Sequence, residues 1–462
     1  MKVNRRQPWH GSASRRQFLH SSALTLGASL AEPLLGQESG ERPAQDPAVT
    51  ILNPRTRVPV SLIIDDSTCL VNLNKFAIPQ FAEANPGSYQ QYPWRQWPDE
   101  IPDDFVRKFA DWSAEHGVKG KYSIVPYPAC VGRIDLGLPG WTRGELNASL
   151  ALVRERIMPN WDIHPEMVTH TRVIDLKTGH PYQEVSRKFM ENWNWCGGRS
   201  ADEIAAYMSY ALTILRNAGL HCEGITTPGG FGGDARPQLA RATFESCRDV
   251  FQTEIPHYFR DLSDKGTDSV APLVQNVSGL GSDDPRCVVH VRGCTGDWTG
   301  GWDCSVPTGA DAFLTSDGRS GRLAEVIARG EPAVMVCHWT GIYWNGLETG
   351  FGILKEVARR LRDGFPGTQW MKLSEIARYW AARELTRTAW TATERQLRWL
   401  APFACPDFTF SIPLTAGIPQ ALREVPNTSQ LTEGTWCRDG KSTIICINLP
   451  KGQGSLQFTP AE

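Results

Sequence analysis

Residues Pro59 to Ile64 carry four apolar side chains in six positions, and the run ends on two adjacent carboxylates, Asp65 and Asp66. Val and Ile favour extended backbone, and an uninterrupted apolar run of this length reads as a strand buried on both faces. Strands of that kind belong to parallel sheets. Open α/β sheets and α/β barrels place their chemistry at the carboxyl ends of such strands, where Asp65 and Asp66 stand. A turn or a helix cap after a buried strand accounts for the same pair, since Asp is common at both.

The strand opens a long alternation of strand and helix signals over residues 58–385. Phe105, Phe109 and Trp112 recur at helical spacing before Gly117. Thr142 with Glu145, and Ser200 with Glu203, form capping-box patterns ahead of apolar helical faces. Trp161–His164 and Met167–His170 read as brief strands, as do Gly224–Thr227, Val288–Val291, Ala333–His338 and Gln369–Met371. Helices are expected over about 350–363 and from Ser374, as cap, to Arg383. Strand–helix repetition implies parallel strands with right-handed crossovers, and seven or eight such units would close a distorted (β/α) barrel. From residue 386 to 462 the pattern turns to alternation, with Asp439-Gly440 as a hairpin signal. That stretch reads as a small all-β domain.

The N-terminus points to export. Arg15-Arg16 within Ser14–Leu19 precedes the apolar stretch Ala23–Leu30, which resembles a twin-arginine signal handed to that export machinery. The apolar stretch is too short for a bilayer span. Ser29 and Ala31 offer a cleavage site, so residues 1–31 read as signal peptide and 32–57 as a flexible spacer. The expected destination is periplasmic or extracellular, with no stable membrane anchor. Lys and Arg number 48 against 50 Asp and Glu, so nothing steers the chain toward nucleic acid or an anionic membrane. The 12 Cys include no CxxC, but Cys287, Cys294 and Cys304 could bridge locally, as could Cys437 with Cys446.

Further ionisable groups fall at strand ends: His164 with His170, and His338. One carboxylate and two imidazoles form an ordinary ligand set for zinc or another divalent cation, which lowers the pKa of water and polarises a carbonyl. A neighbouring carboxylate can then accept a proton and a His across the cleft can supply one. A single His on an apolar strand is more often a satisfied core residue than a ligand, and it is the coincidence at three strand ends that points to a site.

On these residues the stretch 58–383 resembles the polysaccharide deacetylase (NodB-type) superfamily, barrels that hydrolyse carbohydrate acetyl groups with a metal. Leu62-Ile63-Ile64-Asp65-Asp66 matches the family's first motif, which implies a catalytic base at Asp65 and a metal ligand at Asp66. The second motif, His-Ser/Thr-x-x-His, is altered: His164 and His170 stand with five residues between them, and Glu166 or Asp175 is the fallback ligand. Val334–His338 matches the late motif and implies a general acid at His338. Thr227-Pro228-Gly229-Gly230-Phe231 resembles the family's Pro loop without the Arg that orients the base, and Asp297-Trp298 stands for the pair beside the acid. The resemblance implies a polysaccharide or oligosaccharide substrate.

Pro228, Phe231, Trp298, Trp339 and Trp344 are the expected substrate contacts, followed by Trp193 and Trp195, since aromatic rings stack on sugar faces. Two other readings compete. One is a glycoside hydrolase on a related barrel, which needs two carboxylates facing each other across a sugar bond. The other is a carbohydrate-binding protein that kept the fold without the reaction, which the missing Arg favours.

Overall fold

The computed structural model describes residues 40–460, so the twin-arginine segment lies outside the described residues. The strand Val58–Asp65 is the centre of a largely buried parallel sheet. Ala333–His338 pairs with it in a register that sets His338 opposite Asp65. Gly120–Ser123 pairs on its other side and carries Trp161–His164 as the next neighbour. Gly120 permits this approach, since a Cβ there would stand 1.9 Å from the Leu62 carbonyl oxygen. Thr368–Trp370 adds a fifth strand along Val58–Val60. All five run the same way, so Asp65, Ser123, His164 and His338 end at one rim.

A second sheet holds Gly224–Thr226, His257–Phe259 and Arg286–His290 in parallel, with Leu273–Ser278 antiparallel at its edge. The single ring of seven or eight strands expected from the alternation is therefore divided. Among the described residues the two sheets meet without a continuous ladder. A bridge joins Glu166 to Thr226 on one side, and the Cys294 amide donates to the Val334 carbonyl at 2.7 Å on the other. Short strands of three to six residues in the second sheet leave too little edge for a longer ladder.

Helices cover the outer faces. Both expected capping boxes form, at Thr142 and Ser200. The helix Leu373–Leu385 is capped at Lys372 rather than Ser374, because the Ser374 amide and hydroxyl are drawn to Asp162 at 2.7 and 2.8 Å. Met167–His170 is not a strand: Met167 and His170 take left-handed backbone, φ 52° and 64°, and fold the chain back. Trp339 is fully buried against Phe105, Phe109 and Tyr122, because the strand passes directly into the helix Trp339–Tyr343 and turns that side chain into the core.

From Arg387 to Thr459 the regular elements are strands and short 3-10 turns, arranged in two sheets. Thr50–Ile51, within the expected spacer, is built into one of them opposite Phe410 and Ser411. Phe403, Phe408 and Ile445 share a core with Tyr379 and Trp380 of the last helix and with Ile63 of the central strand. The change at residue 386 is a change of secondary structure and not a break in the core. No described helix is long and apolar enough to cross a membrane. The twelve cysteines are free. Cys437 faces Ile444 and Cys446 faces Thr435 across their strands, two residues out of step for a bridge.

Candidate metal centre and catalytic cleft

Asp65 ends the central strand and Asp66 follows in left-handed backbone, φ 61°. A non-glycine residue held there costs of order 1 kcal/mol, and the surrounding contacts must hold it. The turn lets both carboxylates line one cleft instead of alternating to opposite faces.

Asp65 is paired with Lys121, which comes from the neighbouring strand and is completely buried. The Lys121 ammonium also donates to the Ile64 carbonyl at 3.1 Å and to Ser123 Oγ at 2.7 Å, so its three N–H groups are matched. Burial pushes the Asp65 carboxyl up and the Glu166 charge adds to it. Lys121 and His338 pull it back, and the balance rests at about 6.

Asp66 belongs to a second group. His170 Nε2 lies 2.7 Å from Asp66 Oδ1 and 3.5 Å from Glu166 Oε1, and the Asp66 amide donates to Glu166 Oε2 at 2.8 Å. Ligand atoms of Asp66, Glu166 and His170 all lie within 4.8 Å of one another. Asp66 Oδ1 is buried with no further hydrogen-bond partner, so its one close polar contact is the approach of His170 Nε2. Burial opposes charge on Glu166, but His170, Lys121 and the Asp66 amide outweigh it and hold the carboxyl at about 2. Burial likewise opposes charge on His170, and Asp66 and Glu166 hold its pKa well above the ordinary range. Two carboxylates and one imidazole that together demand a cation suit a divalent ion with positions left open for water.

The loop carrying Glu166 and His170 is shaped by Glu191. This buried carboxylate accepts from the amides of Val168 at 3.2 Å, Thr169 at 3.1 Å and His170 at 2.6 Å, and from the Tyr207 hydroxyl. Burial nevertheless raises it to about 7.

His164 does not join Asp66 and His170. Its Nε2 lies 2.9 Å from His257 Nε2 and its Nδ1 3.3 Å from Thr226 Oγ1, and burial beside His257 holds it neutral. His257 begins its strand two residues before Phe259, which lines the cleft, so His164 points below the rim. Gly224 leaves the room: a Cβ there would stand 2.5 Å from His164 Nε2. In the group that could hold a metal ion, Glu166 takes the third place. The four-residue spacing of the altered motif, counted back from His170, lands on it. Asp175, the other fallback ligand, lies in the two-residue strand Ile174–Asp175 outside this group.

His338 faces the same cleft. Its amide and Nδ1 meet Asp297 Oδ2 at 3.0 and 2.8 Å, and Asp297 Oδ1 accepts from the Thr299 amide and hydroxyl at 2.9 and 2.6 Å. Burial disfavours the imidazolium, but the Asp297 bond and the charges of Asp66, Asp297 and Asp65 raise its pKa to about 10. With Nδ1 held by Asp297, Nε2 is the nitrogen left for a substrate.

The cleft, about 310 Å³, is walled by Phe81, Tyr89, Trp193, Phe259 and Trp302. The five expected substrate contacts lie elsewhere. Phe231 is buried and stacks on Trp195, and Pro228 is buried beneath its loop. Trp298 packs edge-on against Phe313 with centroids 4.9 Å apart, Trp344 covers Gly300, and Trp339 is in the core.

The chain matches no protein-family model and no curated protein sequence. A probable polysaccharide deacetylase from Pseudomonas aeruginosa PAO1 is similar at 10% identity over 70% of this chain and 91% of its own, with a TM-score of 0.39. Puue allantoinase is similar at 11% identity over 77% of this chain and 98% of its own, with a TM-score of 0.37. Likeness at this level transfers neither fold nor activity, and the cleft stands on its own geometry.

Replacing Lys121 by Met strands the buried Asp65 without a countercharge. The expected cost is about 3–5 kcal/mol of folding stability, read from urea unfolding. A loss below about 1 kcal/mol, no more than an exposed ion pair is worth, contradicts the pairing.

Proposed function

We propose that the chain is a metal-dependent hydrolase that removes acetyl groups from carbohydrate. The observation that carries this reading is the convergence of three things on one cleft: the Asp66, Glu166 and His170 trio, the lysine-paired Asp65, and the aspartate-backed His338. A divalent cation held by the trio, with zinc the first candidate, would polarise an acyl carbonyl and acidify water. Asp65, near neutrality and anchored at one oxygen by Lys121, accepts a proton. His338 enters protonated and donates to the departing oxygen or nitrogen, while Asp297 fixes its ring. The aromatic walls supply faces on which a pyranose can stack. Asp66 and Glu166 both converge on His170, so they do not form the facing carboxylate pair that glycosidic cleavage requires.

Incubation with acetylated oligosaccharides is expected to release acetate and leave the chain length unchanged. Chain shortening without acetate contradicts the proposal. The rate should rise with pH through about 6 as Asp65 loses its proton and fall near 10 as His338 loses its own. A bound cation moves both limbs to lower pH. A profile rising only on the alkaline side removes His338 as the acid.

Export by the twin-arginine route is part of the same proposal and rests on Arg15-Arg16 and the short apolar stretch after them. Changing both arginines to lysine should leave the protein in the cytoplasmic fraction of an expressing bacterium. Unchanged export of that variant contradicts the route.

A further inference from the structure

The charged groups already described in the cleft are matched: Asp65 by Lys121, Asp297 by His338, and Asp66 with Glu166 by His170 or the cation they would hold. Arg260 is left over. It follows the strand His257–Phe259 and lines the cleft beside Phe259. Its guanidinium is fitted to the glycine loop that the sequence singled out. Nη1 donates to the Gly229 carbonyl at 3.3 Å, and a Cβ on Gly233 would stand 2.6 Å from Nη2. The nearest carboxylate is Asp261, with Oδ1 3.7 Å from Nη1, but Asp261 Oδ2 is engaged by Arg236 and lies 3.8 Å from His290 Nε2. Arg260 Nε is buried with no hydrogen-bond partner.

A second cleft residue is in the same condition. Asn192 Oδ1 is buried and unpartnered, and the Asn192 carbonyl accepts from the Gly230 amide at 2.8 Å, which ties it to the same loop. Rotation of that amide exchanges Oδ1 for Nδ2, a donor. An unpaired buried polar group costs about 1–3 kcal/mol, so two in one wall mark a place where a ligand completes the bonding. A planar guanidinium fork suits a carboxylate, and the aromatic walls beside it suit a sugar ring.

We propose that Arg260, aided by Asn192, recognises a carboxylate carried by the sugar itself, so that the substrate is an acetylated acidic saccharide of the uronate class. This rests on the acyl-hydrolase reading above and adds the charge of the substrate to it. The carboxylate pairs with the guanidinium while the acetyl group reaches the Asp66, Glu166 and His170 trio.

The test compares O-acetylated trigalacturonate, O-acetylated xylotriose and a sulfated, acetylated neutral trisaccharide on the wild type, Arg260→Gln and Arg260→Lys. The wild type should favour the uronate over the neutral substrate by about tenfold or more in kcat/KM, carried by KM, as a charge-assisted hydrogen bond implies. Arg260→Gln should bring that ratio to within about twofold, while Arg260→Lys, which keeps charge without the fork, should leave an intermediate ratio. A wild-type ratio near one, or one that Arg260→Gln leaves unchanged, overturns the proposal. Preference for the sulfated sugar overturns the carboxylate assignment. If no substrate yields acetate, the hydrolase reading falls, and calorimetry with unacetylated trigalacturonate and xylotriose decides the rest. Tighter uronate binding that Arg260→Gln abolishes upholds recognition, and equal binding overturns it.

Discussion

The buried pair between Lys121 and Asp65 is the constraint on which the rest of the cleft depends. Neither charge can be buried alone, because the desolvation cost of an isolated ion exceeds what packing returns. Lys121 therefore needs Asp65, the Ile64 carbonyl and Ser123 in place together. Those partners belong to two adjacent strands, so the register between Val58–Asp65 and Gly120–Ser123 fixes where Asp65 stands. The same central strand sets His338 opposite Asp65 through its other neighbour. Asp65 and His338 are thus placed by backbone ladders rather than by loops, which favours precise geometry.

The Asp66, Glu166 and His170 trio is built differently. Glu166 and His170 sit on a loop, and a loop holds a ligand set only if something fixes it. Glu191 does so with one carboxylate that gathers three successive amides and a tyrosine hydroxyl. The trio pulls the Glu166 carboxyl down and the His170 imidazole up, the response of anionic groups that want a positive charge between them. The cleft thereby combines the ladder-held Asp65 and His338, a shaped anionic pocket and the Arg260 guanidinium, whose Nε has no hydrogen-bond partner.

The sequence made much of this legible where the signal was local and periodic. The apolar run into Asp65-Asp66 and the run into His338 both became strands ending at one rim, and both capping boxes formed. The errors came from non-local causes. His164 and His170 were paired by residue type, but a histidine at a strand end can point below the rim, and Glu166 was ranked below His164 because it is not a histidine. The aromatic residues nearest the motifs were expected in the cleft, yet strand-to-helix turns carried Trp339 and Phe231 into the core. Phe81 comes from the helix Leu73–Ala84 and Tyr89 and Trp302 from loops, and no local pattern connects them to Asp65. Lys121, the partner of Asp65, was signalled only by a lysine placed near the start of a buried strand.

The proposed reaction needs Asp66, Glu166 and His170 to hold a divalent ion to which His164, grouped instead with Asp162 and His257, contributes no ligand. Metal content per chain of purified protein, measured by mass spectrometry for the wild type, Glu166→Ala and His164→Gln, tests it most directly. The account predicts about one equivalent in the wild type and in His164→Gln, and a loss of most of it in Glu166→Ala. Retention of metal by Glu166→Ala together with its loss from folded His164→Gln would contradict the ligand set and, with it, the proposed reaction.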